Sequence, residues 1–178
     1  ETVWAYARQY SITKLKHIVS GGKTGQESIC NGITELAKHY DDNDLVSIHD
    51  AIRPMVSAHI ISENLAVCRR YGGAITAISC AEAMFFTEDK NISTRSVERD
   101  KLMRTQTPQC YPLGKLVWAH QEAKKRGITN SVATCTLMCE LGETIHFSAG
   151  SERNVKLTTQ DDLDIFRALL TNDRRMGQ

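Results

Sequence analysis

The chain has 178 residues with 22 basic and 21 acidic side chains, a net charge of +1, so it lacks the basic excess of a dedicated nucleic-acid or membrane-surface protein. With 41% hydrophobic residues the composition is that of a globular domain with a sizeable core, and no apolar run approaches the ~20 residues of a transmembrane span. Six cysteines, Cys30, Cys68, Cys80, Cys110, Cys135 and Cys139, are scattered through apolar surroundings. That is the pattern of reduced core thiols, so a cytoplasmic location is expected, with no signal peptide read at the start. Cys135 and Cys139 with His146 match no zinc ribbon or finger spacing and read as packing residues.

Residues 1–10 read as a helix, with no Met and no strand before it; the expectation is that an N-terminal segment is missing. Leu15 to Val19 is a short apolar segment with strand character, leading into Ser20-Gly21-Gly22-Lys23-Thr24-Gly25. From about Gln26 to Tyr40, Ile29, Ile33, Leu36, Ala37 and Tyr40 recur at helical spacing. Leu45 to His49 reads as a buried strand ending at Asp50. Ser57 is the expected N-cap of a helix running to about Arg70, and Gly72-Gly73 precedes a strand from Ala74 to Ser79. This order predicts an α/β, Rossmann-like, mostly parallel sheet flanked by helices. Met84–Thr87 and Ile92–Val97 predict an inserted β-hairpin arm over about 82–98, either projecting or lying as an edge hairpin. Arg104 to Gln109 reads as a polar loop. Helices are expected after Pro112 as far as Gly127 and over Ser131–Leu141. Strands are expected at Thr144–Phe147 and Asn154–Thr158. Thr159 with Asp162 predicts a capping box opening the last helix. The whole, residues 1–178, reads as a single domain.

Four segments carry groups suited to phosphate chemistry. Gly21-Gly22-Lys23-Thr24 lies before a helix, where glycine admits close approach and the helix N-terminus favours an anion. It is no P-loop, because His17 stands where that motif needs glycine; a plain turn is the alternative. In Ile48-His49-Asp50-Ala51-Ile52-Arg53-Pro54 an acid closes an apolar strand, where Asp50 can hold Mg²⁺ with phosphate oxygens and Arg53 can clamp a phosphate. His49 reads as a hydrogen-bonded or packed histidine. Arg99 and Thr107-Pro108-Gln109 supply arginine, hydroxyl and amide groups. Lys156, just before a helix cap, can stabilise charge on transferring phosphoryl oxygens, or can simply protect a strand edge.

The order of these segments resembles the methylerythritol phosphate cytidylyltransferase family, which includes ribitol-phosphate cytidylyltransferases, from about Val19 to Leu170. Ile48–Pro54 is similar to the family's His-Asp-Ala-x-Arg-Pro, Gln106–Gln109 to its Thr-Pro-Gln, and Gly150–Thr159 to its Gly-x-x-x-Asn-x-Lys-x-Thr. The resemblance implies transfer of CMP from CTP to a small polyol phosphate with release of pyrophosphate. It implies Gly21, Gly22 and Ser28 at the cytidine, and Asp50 on Mg²⁺ and the CTP phosphates. It also implies Arg53, Arg99 and Thr107 on the polyol phosphate, with Lys156 at the α-phosphate. The arm region often serves the partner subunit's site in this family, so a homodimer is implied. The first expectation for the acceptor is 2-C-methyl-D-erythritol 4-phosphate, hence isoprenoid biosynthesis. Ribitol 5-phosphate, hence capsule or cell-wall synthesis, is the alternative. Gly25 replaces the family's usual arginine, Ala81-Glu82 its Asp-Thr pair, and Val132–Thr136 an acid-bearing segment; the last two changes fall on the polyol side. The family's N-terminal Gly-rich loop and its lysine are not among the 178 residues, so the chain as written is expected to be a poor catalyst. A catalytically silent nucleotide-binding homologue and a nucleotidyltransferase of other base specificity are the rival readings.

Overall fold

The computed structural model describes residues 2–176. In chain order the elements are α1 (Thr2–Gln9), α2 (Gly25–Leu36), β1 (Leu45–Ile48), α3 (Ala58–Tyr71), β2 (Ala74–Ser79), β3 (Met84–Phe86), β4 (Arg95–Val97), a 3-10 turn at Arg99–Lys101, β5 (Met103–Pro112), α4 (Leu113–Lys125), α5 (Thr134–Glu140), β6 (Phe147–Ala149) and α6 (Gln160–Met176). They form two compact units, one of residues up to 44 with 112–143, the other of 45–111 with 144 onward.

The first unit is helical. Thr24 caps α2 by accepting the Glu27 N–H at 3.1 Å. Helix α4 follows Pro112 and ends at Lys125, two residues before Gly127, whose φ of +70° suits glycine. Helix α5 begins three residues after Ser131 because that serine is committed elsewhere. Its N–H donates to Gln26 Oε1 at 2.8 Å and its hydroxyl to Glu140 at 2.6 Å, so it does not cap the helix. Residues 15–19 are not a strand. They are irregular and largely exposed, and His17 instead stacks on His39 with ring centres 4.3 Å apart.

The second unit holds a four-stranded sheet in the order β1-β5-β2-β6. The sheet is mixed: β6 runs parallel to β2, whereas β5 runs antiparallel to it. Much of β5 is the segment that reads in sequence as a polar loop. Gln106, Thr107 and Gln109 are buried there, and their side chains find partners, which is what lets polar residues occupy a central strand. Helix α3, capped by Ser57 and closed by Gly72 in the left-handed region, packs on β2 and β6. Its buried Asn64 donates to Thr76 and Ser148 hydroxyls, tying the helix to both strands. The bond to Ser148 helps to explain why β6 lies at Phe147–Ala149 rather than Thr144–Phe147. The six cysteines are thiols, not disulfides. Cys68 and Cys110 lie together in the core with Ala74. The hydrogen bond that the Cys110 thiol makes to Cys68, together with burial, pushes it well above its ordinary range.

The hairpin is present, with β3 and β4 paired antiparallel from Met84↔Val97 to Phe86↔Arg95. Its turn is organised by Asp89, whose Oδ1 accepts the N–H groups of Asn91 and Ile92; these bonds hold its carboxyl below the usual range. Phe85, Phe86 and Ile92 are 59, 53 and 76% exposed.

Residues 154–158 form no strand; they are an irregular segment leading to α6. The capping box at α6 is present. Asp162 Oδ2 accepts the N–H groups of Thr158 (2.8 Å) and Thr159 (2.7 Å), and the Asp162 N–H returns to the Thr159 hydroxyl. Those backbone bonds lower the Asp162 carboxyl from 3.8 to about 2. A carboxyl depressed by folding contributes stability above its unfolded value and loses it as pH falls through the folded one. The amides of Thr158 and Thr159 should therefore lose hydrogen-exchange protection between about pH 4 and 2. In Asp162→Ala they should be unprotected at neutral pH, with no titration in that window; equal protection in the two proteins would show that the cap contributes nothing.

Candidate active site

The second unit brings together Asp50, Arg53, Thr107 and Lys156. Strand β1 ends at Ile48 and delivers Asp50 just beyond its carboxyl end, where open α/β sheets place their ligands. A turn closed by the Arg53 N–H on the Asp50 carbonyl (2.9 Å) brings the arginine back over the acid. Arg53 Nε and Lys156 Nζ each lie 3.2 Å from Asp50 Oδ2. One carboxylate thus holds two cations, and the cluster carries one net positive charge, complementary to phosphate. The Lys156 side chain is 46% exposed and that of Asp50 31%, so the charged heads are reachable, whereas Arg53 is largely covered.

The positions of these groups are set by a polar network that runs from the exposed His49 to the buried Gln106 and Asn154. The Asp50 N–H donates to the Thr107 hydroxyl at 3.0 Å, which also bonds His49 Nδ1 at 3.0 Å. His49 Nε2 lies 3.1 Å from the Arg53 carbonyl, so the histidine staples both ends of the loop. Asn154, fully buried, donates from Nδ2 to Gln106 Oε1 (3.2 Å) and the Thr107 carbonyl (2.9 Å). Its own carbonyl accepts from Arg53 at 2.7 Å. The Leu157 N–H donates to the Ile52 carbonyl at 2.9 Å, which fastens the lysine-bearing segment beside the Asp50 loop. Gly150 is needed for close approach, since a Cβ there would lie 2.6 Å from Gln106 Oε1 and 3.0 Å from the Ala77 carbonyl. The Thr107–Pro108 peptide bond is cis.

Thr107 is nearly buried and its hydroxyl is spent on Asp50 and His49, so within this chain it is a positioning group. Arg99 stands outside this network; its guanidinium donates to the Ala81 carbonyl at 3.1 Å and lies 3.7 Å from Asp100. Gln106 and Asn154 are functional positions that the sequence marks only by membership of Gln106–Gln109 and Gly150–Thr159; the signal is a side-chain amide on each of two segments that resemble the family pattern.

In the first unit Gly21, Gly22 and Ser28 form a cluster of their own. The Gly22 N–H donates to Ser28 Oγ at 2.9 Å, and Ser28 Oγ donates to the Thr24 carbonyl at 3.0 Å. A Cβ on Gly22 would collide with the Glu27 side chain, so glycine is required for this turn to fold against the start of α2.

Comparison with known proteins identifies the family. The family described as IspD, 2-C-methyl-D-erythritol 4-phosphate cytidylyltransferase, matches residues 4–172. A ribitol-5-phosphate cytidylyltransferase of Lacticaseibacillus paracasei is 40% identical over 172 residues, which cover 96% of this chain and 74% of that protein. A 2-C-methyl-D-erythritol 4-phosphate cytidylyltransferase of Clostridium acetobutylicum is 34% identical over 163 residues, 91% and 69% of the two chains. Among solved structures, a 4-diphosphocytidyl-2C-methyl-D-erythritol synthase superposes with a TM-score of 0.79 at 26% identity, covering 94% of this chain and 75% of the other. The α/β fold read from the sequence is therefore that of these enzymes, and the chain belongs to the 2-C-methyl-D-erythritol 4-phosphate cytidylyltransferase family as a nucleotidyltransferase enzyme, a cytidylyltransferase.

Proposed function

We propose that the protein transfers CMP from CTP to ribitol 5-phosphate, releasing pyrophosphate. The observation that carries the choice of acceptor is the 40% identity to a relative named for ribitol 5-phosphate, against 34% for one named for 2-C-methyl-D-erythritol 4-phosphate. The replacements at Ala81-Glu82 and Val132–Thr136, on the polyol side of the family pattern, point the same way.

In this reading a phosphate oxygen of the acceptor attacks the α-phosphorus of CTP, a new P–O bond forms, and the bond to the β-phosphate breaks. The reaction asks for positioning and charge neutralisation rather than proton transfer. Lys156 stabilises the negative charge that grows on the α-phosphate oxygens. Arg53 and Arg99 are the cations for the acceptor phosphate, and Gly21, Gly22 and Ser28 serve the cytidine. The single carboxylate of Asp50 fits Mg²⁺, an ion held mainly by water and substrate phosphates with one or two protein carboxylates. When bound, Mg²⁺ would neutralise charge on the CTP phosphates. The exposed Phe85, Phe86 and Ile92 of the hairpin support its use as a homodimer contact.

The test is an initial-rate comparison of the full-length protein with CTP and either ribitol 5-phosphate or 2-C-methyl-D-erythritol 4-phosphate. Ribitol 5-phosphate is expected to give the higher kcat/KM, and EDTA to abolish turnover. A preference for the methylerythritol substrate would overturn the choice of acceptor, and full activity in EDTA would overturn the role given to Mg²⁺.

A further inference from the structure

In the first unit three side chains with metal-binding atoms converge. Glu35 lies in the last turn of α2 and His39 in the turn that follows it, where the His39 N–H donates to the Leu36 carbonyl at 2.9 Å. His17 arrives from the irregular segment before that helix and stacks on His39, with the rings 17° from parallel. Glu35 Oε1 is 3.0 Å from His39 Nε2 and 3.9 Å from His17 Nδ1, and the three donor atoms lie within 4.8 Å of one another. Ligands of a tetrahedral zinc ion with bonds of about 2.0–2.1 Å stand roughly 3.3 Å apart, so the separations to Oε1 bracket the spacing required. Lys38 holds the other carboxylate oxygen at 2.6 Å. It leaves Oε1 facing the imidazoles, the kind of outer-shell contact that orients a metal ligand.

We propose that His17, Glu35 and His39 form a binding site for a borderline divalent transition metal such as Zn²⁺. Two imidazoles and one carboxylate are a zinc-type donor set, whereas Mg²⁺ and Ca²⁺ select oxygen. A three-ligand site leaves a fourth position for water. The ion would act as a clip, fastening the segment that carries His17 to the end of α2.

Titration of the full-length protein with Zn²⁺, followed by calorimetry and by NMR of the histidine rings, tests this. One equivalent is expected to bind and to shift the His17 and His39 ring signals. His17→Gln and His39→Gln should each weaken binding at least about tenfold, while Cys139→Ser and millimolar Mg²⁺ leave it unchanged. Co²⁺ should bind without a thiolate charge-transfer band. Unshifted ring signals, binding retained in both histidine variants, or no Zn²⁺ uptake would overturn the proposal; the last would leave an ion-paired cluster alone. The NMR readout needs no variant to fold.

Discussion

Lys156→Ala is expected to lower kcat for CMP transfer by about 10²–10³-fold, equivalent to about 2.7–4 kcal/mol of transition-state stabilisation. The argument is geometric. Lys156 Nζ is held at 3.2 Å from Asp50 Oδ2 by a segment pinned to the Ile52 carbonyl, yet nearly half its side chain stays open. A half-exposed ion pair of this kind adds little to stability, so the lysine's fixed position serves something other than folding. The loss should fall on kcat more than on the KM for CTP, as for a contact that strengthens in the transition state. The melting temperature should stay near that of the wild type. A variant keeping more than about half the wild-type kcat would remove Lys156 from the chemistry.

Asn154→Ala is expected to cost both stability and activity. The side-chain amide is fully buried and supplies donors to Gln106 Oε1 and the Thr107 carbonyl. Gln106 Oε1 still accepts the Ser151 N–H at 3.3 Å, but the Thr107 carbonyl loses the side-chain donor that Asn154 provides. Leaving a buried acceptor unsatisfied costs about 1–3 kcal/mol, which for a chain of this size lowers Tm by roughly 2–12 °C. Thr107 supports the Asp50 N–H, and the Asn154 carbonyl holds Arg53, so a shift here spreads to both charged groups. Thermal unfolding and initial rates of the same preparation read the two effects. An unchanged Tm together with wild-type kcat/KM would show that the network does not position the site.

Much of this was legible in the chain. Ser57, Gly127 and the Thr159–Asp162 pair announce helix ends because capping is local chemistry. Asp50 could be placed because an apolar strand followed by an acid has few other meanings in an α/β order. The errors share a cause, which is that strand identity depends on partners far away in sequence. Residues 15–19 look like a strand and pair with nothing in the sheet, while Arg104 to Gln109 looks like a loop and belongs to the long strand β5. The polarity of Gln106, Thr107 and Gln109 hides their burial, since only the fold shows that Ser151 and Asn154 partner Gln106, His49 partners Thr107, and the Gln106 carbonyl accepts from Gln109. The convergence of His17 on Glu35 and His39 was likewise invisible, because eighteen or more residues separate it from the other two.

The most direct test of the central claim is identification of the products formed by the full-length protein from CTP and ribitol 5-phosphate in the presence of Mg²⁺, by mass spectrometry with a parallel pyrophosphate assay. The account predicts CDP-ribitol and pyrophosphate in equal amounts, with UTP and ATP giving far less of their counterparts. No nucleotide-linked product with any polyol phosphate, or equal use of all three nucleotides, would contradict it.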